Sequence, residues 1–288
     1  MPNGILIVNK PAGWTSQDVV AKLRGVFHEK RVGHGGTLDP MATGVLPVFV
    51  GRATRAVEFF TSAEKEYEAG LRLGVTTTTQ DTTGTVLETR PVEADRAALE
   101  ALLPRFLGKQ RQLPPMYSAI KIGGKKLYEL ARQGKEIERT PREIEILSLR
   151  LLDGADDLYR FSVRCSKGTY VRTLCHDLGQ ALGCGGCMES LNRTQAGCYT
   201  LAQSHTMEEI TAAEDPTAFL LPVDSLFADS PAVTVTAKQE KKIRNGAAIA
   251  PWDRDGSFRL YGADGAFLAL AEGKNGELKT IKSFFEVD

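Results

Sequence analysis

Residues 33–46 read GHGGTLDPMATGVL, a polar, glycine-rich loop that runs directly into an apolar segment. Its glycines carry no side chains, so another molecule can approach the backbone closely. Pro40 favours an extended backbone for Asp39, which makes that carboxylate less available as a local helix cap. Loops of this kind on a rigid scaffold often carry binding or catalytic groups. An Asp–Pro turn without a function is nevertheless the commoner explanation, so these residues alone define only a possible site.

Alternation of apolar and polar residues predicts several strands around this loop. Ile5–Val8 and Val45–Val50 are apolar runs typical of buried strands, whereas Tyr67–Leu73 and Tyr159–Cys165 alternate as strands with one buried face. A shorter strand is predicted over Tyr117–Ile122, closed by a glycine pair. The region before residue 200 therefore contains most of a sheet.

Helical spacing of apolar residues predicts helices between these strands. The first begins at Ser16 as a capping residue and continues to Phe27, and another is capped by Asp95 and extends through Leu107. Further helices are predicted over Leu127–Arg132 and Tyr170–Leu182. Strands and helices thus interleave irregularly, which indicates an α+β fold with a mixed sheet.

The pattern of predicted secondary structure changes after two prolines, Pro222 and Pro231, which bracket a predicted linker. Beyond them lie short strands punctuated by glycine and one helix over Lys238–Arg244. We interpret residues 1–228 as the main domain and residues 229–288 as a small β-barrel. A unit of this size has little core of its own, so we expect it to dock on the main domain.

Charge is balanced overall but segregated along the chain. The sequence has 36 Lys plus Arg and 36 Asp plus Glu, yet residues 105–150 contain eleven basic and five acidic residues. A basic segment can follow the phosphates of a nucleic acid, although such a cluster alone is more often a solvated face. Lys121, Lys125 and Lys126 are the candidates for this role.

Cysteine usage and hydropathy indicate a reducing compartment. The five cysteines crowd into residues 165–198, and the first ten residues contain an apolar run of only four. We therefore expect reduced thiols, no membrane span and a cytoplasmic location. Cys184 and Cys187 form a CxxC pair near Cys175 and His176, so a structural zinc or redox site is a possible alternative.

The loop around Asp39 resembles the motif of the TruB family of tRNA pseudouridine synthases. The resemblance continues with KP at 10–11, KEY at 65–67, PPMYSA at 114–119 and SKGTYVR at 166–172, in the family's order and approximate spacing. It covers most of residues 4–195. The C-terminal segment is similar in size and texture to the family's PUA-like RNA-binding domain. The implied fold is α+β, with a mixed, largely antiparallel sheet, a central cleft and a small PUA-like β-barrel.

The resemblance implies a specific isomerisation. The substrate would be uridine-55 in the T loop of tRNA, converted to pseudouridine by breaking the glycosidic bond and rejoining the base through carbon. No cofactor, metal or obligatory protein partner is implied. Asp39 would be the catalytic carboxylate, and three routes stay open: attack on the uracil ring, attack on the sugar, or abstraction of a sugar proton.

The resemblance also implies roles for other residues. Arg172 would pair with Asp39, lowering the pKa of that carboxyl and fixing its direction. Tyr67 would stack on the target base or transfer a proton, and His34 would fill the space that the flipped base leaves in the RNA. Lys10 would buttress the site or meet a phosphate.

The remaining RNA contacts are assigned to Arg193 and, on the basic segment, to Lys121, Lys125 and Lys126. The chain departs from the family where Cys187 replaces a frequent His and Asn192 replaces an Arg, which puts RNA contacts at those two positions in doubt.

Two further functions compete with catalysis of isomerisation. An RNA-binding protein without catalysis would also carry basic segments and a barrel, although the combination of Asp39, Tyr67 and Arg172 argues against it. A hydrolase using His34 and Asp39 finds little support, because the sequence has no GxSxG, HExxH or P-loop motif.

Overall fold

The computed structural model describes residues 1–118 and 120–285, apart from the side chain of Lys126. The strands are β1 (Gly4–Lys10), β2 (Val32–His34), β3 (Thr43–Val50), β4 (Lys65–Leu73), β5 (Val75–Thr77), β6 (Val86–Thr89), β7 (Gly108–Gln112), β8 (Lys121–Ile122), β9 (Lys125–Lys126), β10 (Arg142–Ala155), β11 (Leu158–Cys165), β12 (Gly186–Ala196), β13 (Tyr199–Thr200), β14 (His205–Thr206), β15 (Ala232–Thr234), β16 (Gly256–Tyr261), β17 (Phe267–Lys274) and β18 (Glu277–Ser283). The helices are α1 (Ser16–Phe27), α2 (Val57–Phe60), α3 (Arg96–Leu102), α4 (Leu127–Ala131), α5 (Val171–Ala181), α6 (Met207–Ala212) and α7 (Ala237–Arg244).

The main sheet is mixed and largely antiparallel, as predicted. Its strands are ordered β14-β1-β3-β12-β4-β11-β10-β7, with β2 added beside β3 and β13 beside β12. Only the β1–β14 and β3–β12 pairs are parallel. The central pair β12–β4 places residues from distant parts of the chain side by side, with Tyr67 opposite Arg193.

One face of this sheet carries the main core, because the alternating residues of β4 and β11 turn inward against α1 and α5. Ala69, Leu71, Phe161 and Val163 are buried there, together with Leu178 of α5. Full burial of each such side chain stabilises the fold by roughly 1.5–3 kcal/mol. The core therefore fixes the position of α5, whose first turn carries Arg172.

Helix α1 differs from the prediction at its first residue. Thr15, not Ser16, is the N-cap, and it forms a capping box with Asp18. Ser16 is buried, and its Oγ accepts a hydrogen bond from the Leu38 amide at 2.8 Å. The serine that we assigned to the cap thus anchors the glycine-rich loop.

Two other elements are shorter than predicted. Asp95 caps α3 by accepting from the Ala98 amide at 2.8 Å, but the α-helix ends at Leu102 and a 3-10 turn continues to Phe106. The predicted strand over Tyr117–Ile122 is limited to β8, and Ala119 lies outside the described residues. Among the described residues, the short ladder pairs only Lys121 with Lys126 and Ile122 with Lys125.

The C-terminal unit that we predicted as a small barrel has the sheet order β15-β16-β17-β18, and a further bridge joins Ile249 to Leu278. It docks on the main domain, because Leu270 and Phe284 share a buried cluster with Phe227. The proposed boundary after residue 228 falls between the 3-10 turn Val223–Phe227 and β15. Among the described residues, no helix has both the length and the apolar character needed to cross a membrane.

Candidate active site

The glycine-rich loop is held against the sheet and α1 by backbone contacts. The Gly35 amide donates to the Pro47 carbonyl at 2.8 Å, and the Gly13 amide donates to the Pro40 carbonyl at 2.8 Å. A Cβ at Gly35 would lie only 2.5 Å from the ring of Phe60, so no larger residue fits there without a shift. These contacts give Asp39 a defined position at the edge of the core.

Asp39 and Arg172 form a two-pronged ion pair. Arg172 Nε lies 2.9 Å from Asp39 Oδ2, and Nη2 donates to Oδ1 at 3.2 Å. The Arg172 side chain is 6% exposed, whereas that of Asp39 is 34% exposed. Contacts from one planar guanidinium to both oxygens of a carboxylate fix its orientation. Asp39 is therefore held rigidly and is still open to a ligand.

Arg172 is itself fixed from several directions. Its Nη2 donates to the Tyr117 carbonyl at 2.8 Å, and its Nη1 donates to the Thr79 carbonyl at 3.2 Å. Gln112 exchanges two hydrogen bonds with the backbone of Tyr170, the residue that precedes α5. The guanidinium thus joins the glycine-rich loop to the segment after Pro115 and to a threonine-rich loop, residues 76–85.

A second carboxylate, Asp81, lies on the far side of Arg172, with its Oδ2 3.7 Å from Nη1. It is buried, and its Oδ1 accepts hydrogen bonds from the hydroxyls of Thr79 and Thr83. Sequence reasoning gave Asp81 no role at the site. The threonines two residues before and after it were the available signal, because such hydroxyls commonly support an Asp side chain in a turn.

The pKa of Asp39 is raised, which corrects the expectation from Arg172 alone. Burial is the largest cause, Arg172 opposes it, and Asp81 adds a further upward effect through like-charge repulsion. Arg172 therefore offsets part of the cost of placing a carboxylate here, without reversing it.

Tyr67 lies on the same buried face as Leu38 and is 9% exposed. Burial raises the pKa of its phenol, Arg193 opposes this shift, and Asp39 is close enough to add to it. The phenol is therefore protonated at neutral pH. Arg172 thus contacts Asp39 directly, and Tyr67 is near enough to Asp39 to interact with it electrostatically. A joint role of the three residues in catalysis stays a prediction.

Lys10 and Arg193 are buried, which argues against the phosphate contacts that we predicted for them. Lys10 is 0% exposed, and its Nζ donates to the carbonyls of Trp14 at 2.6 Å, Pro11 at 2.8 Å and Pro40 at 3.3 Å. Burial lowers its pKa to about 8, although Asp39 opposes the shift. Lys10 thus has the buttressing role that was its other predicted alternative.

Comparison with known proteins agrees with this geometry. Residues 24–171 match the TruB family pseudouridylate synthase (N terminal domain), residues 172–228 match the tRNA pseudouridylate synthase B C-terminal domain, and residues 231–281 match Pseudouridine synthase II TruB, C-terminal. The chain belongs to the TruB family. It is a pseudouridine synthase, an isomerase.

Relatives of similar length support this assignment. A tRNA pseudouridine synthase B of Thiobacillus denitrificans is 44% identical over 279 residues, covering 96% of this chain and 94% of the relative. One from Clostridium kluyveri is 41% identical and covers 98% and 99%. A chain of a Cbf5-Nop10-Gar1 complex superposes with a TM-score of 0.73 at 25% identity, covering 98% of this chain and 85% of the other. The pseudouridine synthase fold is therefore shown.

In this TruB family chain, His34 begins the loop and is half-buried. Its Nδ1 accepts a hydrogen bond from the Gly36 amide at 3.3 Å, and burial lowers its pKa, with a further contribution from Arg193. It is therefore neutral at physiological pH. A neutral ring suits the predicted role of filling a gap in stacked bases, which stays a prediction.

The basic segment presents Lys121 and Lys125 on the exposed hairpin β8–β9, while the Lys126 side chain lies outside the described residues. The carbonyl of Tyr117, a few residues earlier, accepts a hydrogen bond from Arg172. The hairpin is thus connected to the synthase site by a short stretch of chain.

The cysteine pair is placed in the core of the TruB domain. Cys184 and Cys187 are buried, and burial raises the pKa of the Cys187 thiol to about 11. Within residues 1–118 and 120–285, no three His, Cys, Asp or Glu side chains are grouped to hold a metal ion. This arrangement gives no support to the zinc alternative.

Proposed function

We propose that the protein converts uridine-55 in the T loop of tRNA to pseudouridine, with Asp39 as the catalytic carboxylate and without a cofactor. The substrate class is supported by the curated relatives, which are named tRNA pseudouridine synthase B. The residue assignment is supported by the geometry around Asp39. The position in tRNA and the flipping of the base are supported by the family resemblance.

The reaction balances without any external redox partner. The bond from uracil N1 to the ribose C1′ breaks, a bond from uracil C5 to C1′ forms, C5 loses its proton, and N1 gains one. Substrate and product are isomers, so the chemistry asks for positioning, a nucleophile or base, and proton transfer. Attack on the ring, attack on the sugar and abstraction of a sugar proton all need Asp39 in its ionised form.

One observation carries the proposal: a buried arginine holds a partly exposed carboxylate by an ion pair and a hydrogen bond, one to each carboxylate oxygen. Exposed pairs contribute about 0–1 kcal/mol and buried pairs often contribute no net stability, so stability alone does not account for this pair. Here the Arg172 side chain is buried and the Asp39 carboxylate is accessible to a ligand. Arg172 favours the ionised form of Asp39 against the opposing effect of burial, and it aims the carboxylate at a ligand.

Base flipping accounts for the proposed roles of the other residues. A base in a folded loop must leave its stack to reach Asp39, and enzymes that act on bases receive them between aromatic and apolar side chains. Tyr67 supplies a ring and a protonated phenol, and His34 supplies a neutral ring at the entrance of the loop. Lys121 and Lys125 would bind the phosphates of the T arm, which positions the RNA without specifying its sequence.

We further propose that the chain acts in the cytoplasm and needs no protein partner, since Asp39, Tyr67 and Arg172 all belong to one chain. The Nop10 and Gar1 proteins are partners of the Cbf5 chain in its own complex.

The test uses the purified protein and tRNA transcripts labelled with tritium at uracil C5. Formation of pseudouridine releases that label, because C5 becomes the carbon attached to ribose. We expect stoichiometric release from the normal transcript and none above background from a transcript with cytidine at position 55. Binding of tRNA without release would support an RNA-binding protein and contradict the proposal, and release from the cytidine-55 transcript would move the target to another uridine.

A further inference from the structure

Arg193 is a fully buried cation. Its surroundings rule out a position on the RNA-facing surface. It lies on β12, directly opposite Tyr67 of β4, and is 1% exposed. Residues opposite each other in an antiparallel pair have Cβ atoms roughly 5 Å apart, so the two side chains occupy the same face. Arg193 therefore stands beside the aromatic residue of the site.

The guanidinium contacts the strand and the loop that carry Asp39. Its Nε donates to the Val45 carbonyl at 2.7 Å, and its Nη2 donates to the Gly36 carbonyl at 3.1 Å. It is also near enough to the Tyr67 phenol to act on it electrostatically. One side chain thus joins β3, the glycine-rich loop and Tyr67.

Burial of a guanidinium in this space has a large desolvation cost. Among the described residues, no carboxylate lies within salt-bridge distance of Arg193, so its burial is compensated by carbonyl oxygens and polar neighbours. An apolar side chain of similar size would avoid that cost. A charge at this place therefore requires a reason beyond packing.

The donor chemistry of arginine supplies one. Arginine has five N–H donors and no acceptor, whereas a phenol can both donate and accept. Beside Arg193, the Tyr67 oxygen can only accept from the guanidinium. The phenol hydrogen is then available to a partner other than Arg193, and the target base of the proposed reaction is such a partner.

We propose that Arg193 is a positioning residue that fixes the glycine-rich loop relative to Tyr67 and orients the Tyr67 O–H toward the target base. The inference rests on the proposed function, since it assigns Arg193 a part in the same reaction. Arg193 acts through Tyr67 and the loop without touching the substrate.

The test is a double-mutant cycle on the full chain. Arg193→Gln removes the charge, Arg193→Lys keeps it but loses the planar fork, and each is made alone and with Tyr67→Phe. Arg160→Gln is the matched control, because Arg160 lies on β11 of the same sheet with its side chain exposed. Single-turnover rates at saturating tRNA, tRNA dissociation constants and thermal melting are measured for each protein.

We expect Arg193→Gln to slow single turnover by roughly 50-fold while changing the dissociation constant by about threefold or less, because the lost interaction serves the transition state. Arg193→Lys should recover part of the rate. In the Tyr67→Phe background, Arg193→Gln should cost a further factor of about three at most, because residues that act together are not additive. Arg160→Gln should match the wild type.

Equal slowing by Arg193→Gln in both backgrounds would overturn the proposal, as would a rate equal to the control. Failure of both Arg193 variants to fold would assign the residue a structural role and also contradict it. The rates are taken on whichever uridine the wild-type protein converts. If the target uridine is not at position 55, the cytidine-55 transcript reveals this. The double-mutant cycle can still be interpreted in that case.

Discussion

Positive charge is used in opposite ways in the interior of the catalytic centre and on the hairpin β8–β9. Lys10, Arg172 and Arg193 are buried and donate to carbonyls or to Asp39, whereas Lys121 and Lys125 are exposed. Buried charges are screened by salt far less than exposed ones. The interior cations should therefore govern the rate of the chemistry, and the hairpin should govern affinity and its dependence on salt.

The largest effect is expected for Asp39→Asn. The amide is nearly isosteric and can still accept from Arg172, but it has neither the charge nor the ability to attack or accept a proton. Single-turnover conversion at saturating tRNA should fall by a factor on the order of a thousand or more. Affinity should change by about tenfold at most, roughly 1.4 kcal/mol. An Asp39→Asn enzyme with a tenth of the normal rate would rule out Asp39 as the catalytic carboxylate.

Removal of Arg172 should come next. Arg172→Ala leaves Asp39 misdirected and facing Asp81 without a cation between them, so single turnover should slow by about 100-fold or more. Because Arg172 opposes the raised pKa of Asp39, its loss raises that pKa further. Activity needs ionised Asp39 and disappears as the pH falls through its pKa. The acidic limb of the pH–rate profile should therefore move to higher pH.

Arg164→Ala is the control for that experiment, since Arg164 forms an exposed ion pair with Glu64 on the same sheet. Exposed pairs contribute about 0–1 kcal/mol, so its rate and pH profile should stay close to those of the wild type. An unchanged acidic limb in Arg172→Ala would show that the pair does not set the ionisation of Asp39.

The sequence predicted the parts of this centre that lie in continuous motifs. Asp39, Tyr67 and Arg172 each stand in a recognisable stretch, and the strands around them follow from apolar alternation. The burial of Arg193 could not be predicted in the same way, because it depends on the register of β12 against β4, strands more than a hundred residues apart. The family resemblance grouped Arg193 with the exposed lysines as an RNA contact.

The contact of Asp81 with Arg172 could not be predicted from the sequence for the same reason. Its partner Arg172 is 91 positions away in the sequence, and the two meet because the threonine-rich loop docks on β12, where the Thr82 amide donates to the Met188 carbonyl at 3.0 Å. Ser16 was misplaced for a local reason. Two adjacent hydroxyl residues, Thr15 and Ser16, could each cap α1, and only the packing of the loop shows which one is free to bind Leu38.

A third prediction tests the cost of interior cations through Lys65, at the start of β4. Lys65 is buried, its Nζ donates to the Ala63 carbonyl at 2.6 Å, and burial lowers its pKa to about 8 from an ordinary value of 10.5. Below pH 8 the folded state holds a charged amine at a cost. As the pH rises from about 8 to 10.5, the folded state releases this proton before the unfolded state does, so the contribution of Lys65 to stability increases.

Lys65→Met removes that titration. Urea unfolding from pH 7 to 10 should show the free energy of unfolding of the wild type, minus that of the variant, rising by about 2 kcal/mol across this range. Lys22→Met, on the exposed side of α1, gives the background change for loss of a lysine. A wild-type minus Lys65→Met difference that is flat or falls with pH would contradict the burial of a costly charge.

The smallest effect is expected on the hairpin, where Lys121 and Lys125 are replaced together by alanine. Each phosphate contact releases counterions, so the slope of log affinity against log salt should become shallower by about 1 to 2, and affinity at low salt should fall roughly tenfold. The rate at saturating tRNA should stay unchanged, because the hairpin lysines donate no hydrogen bond to Asp39 or Tyr67 among the contacts described.

Lys22→Ala with Lys30→Ala removes the same charge from α1 and its end, which separates a local contact from a general loss of charge. Arg193→Gln, measured alongside, should slow the reaction while keeping the wild-type salt slope. If the hairpin variant kept the wild-type slope and Arg193→Gln changed it, the interior and the surface would have exchanged roles, and the division between cations for chemistry and cations for affinity would be wrong.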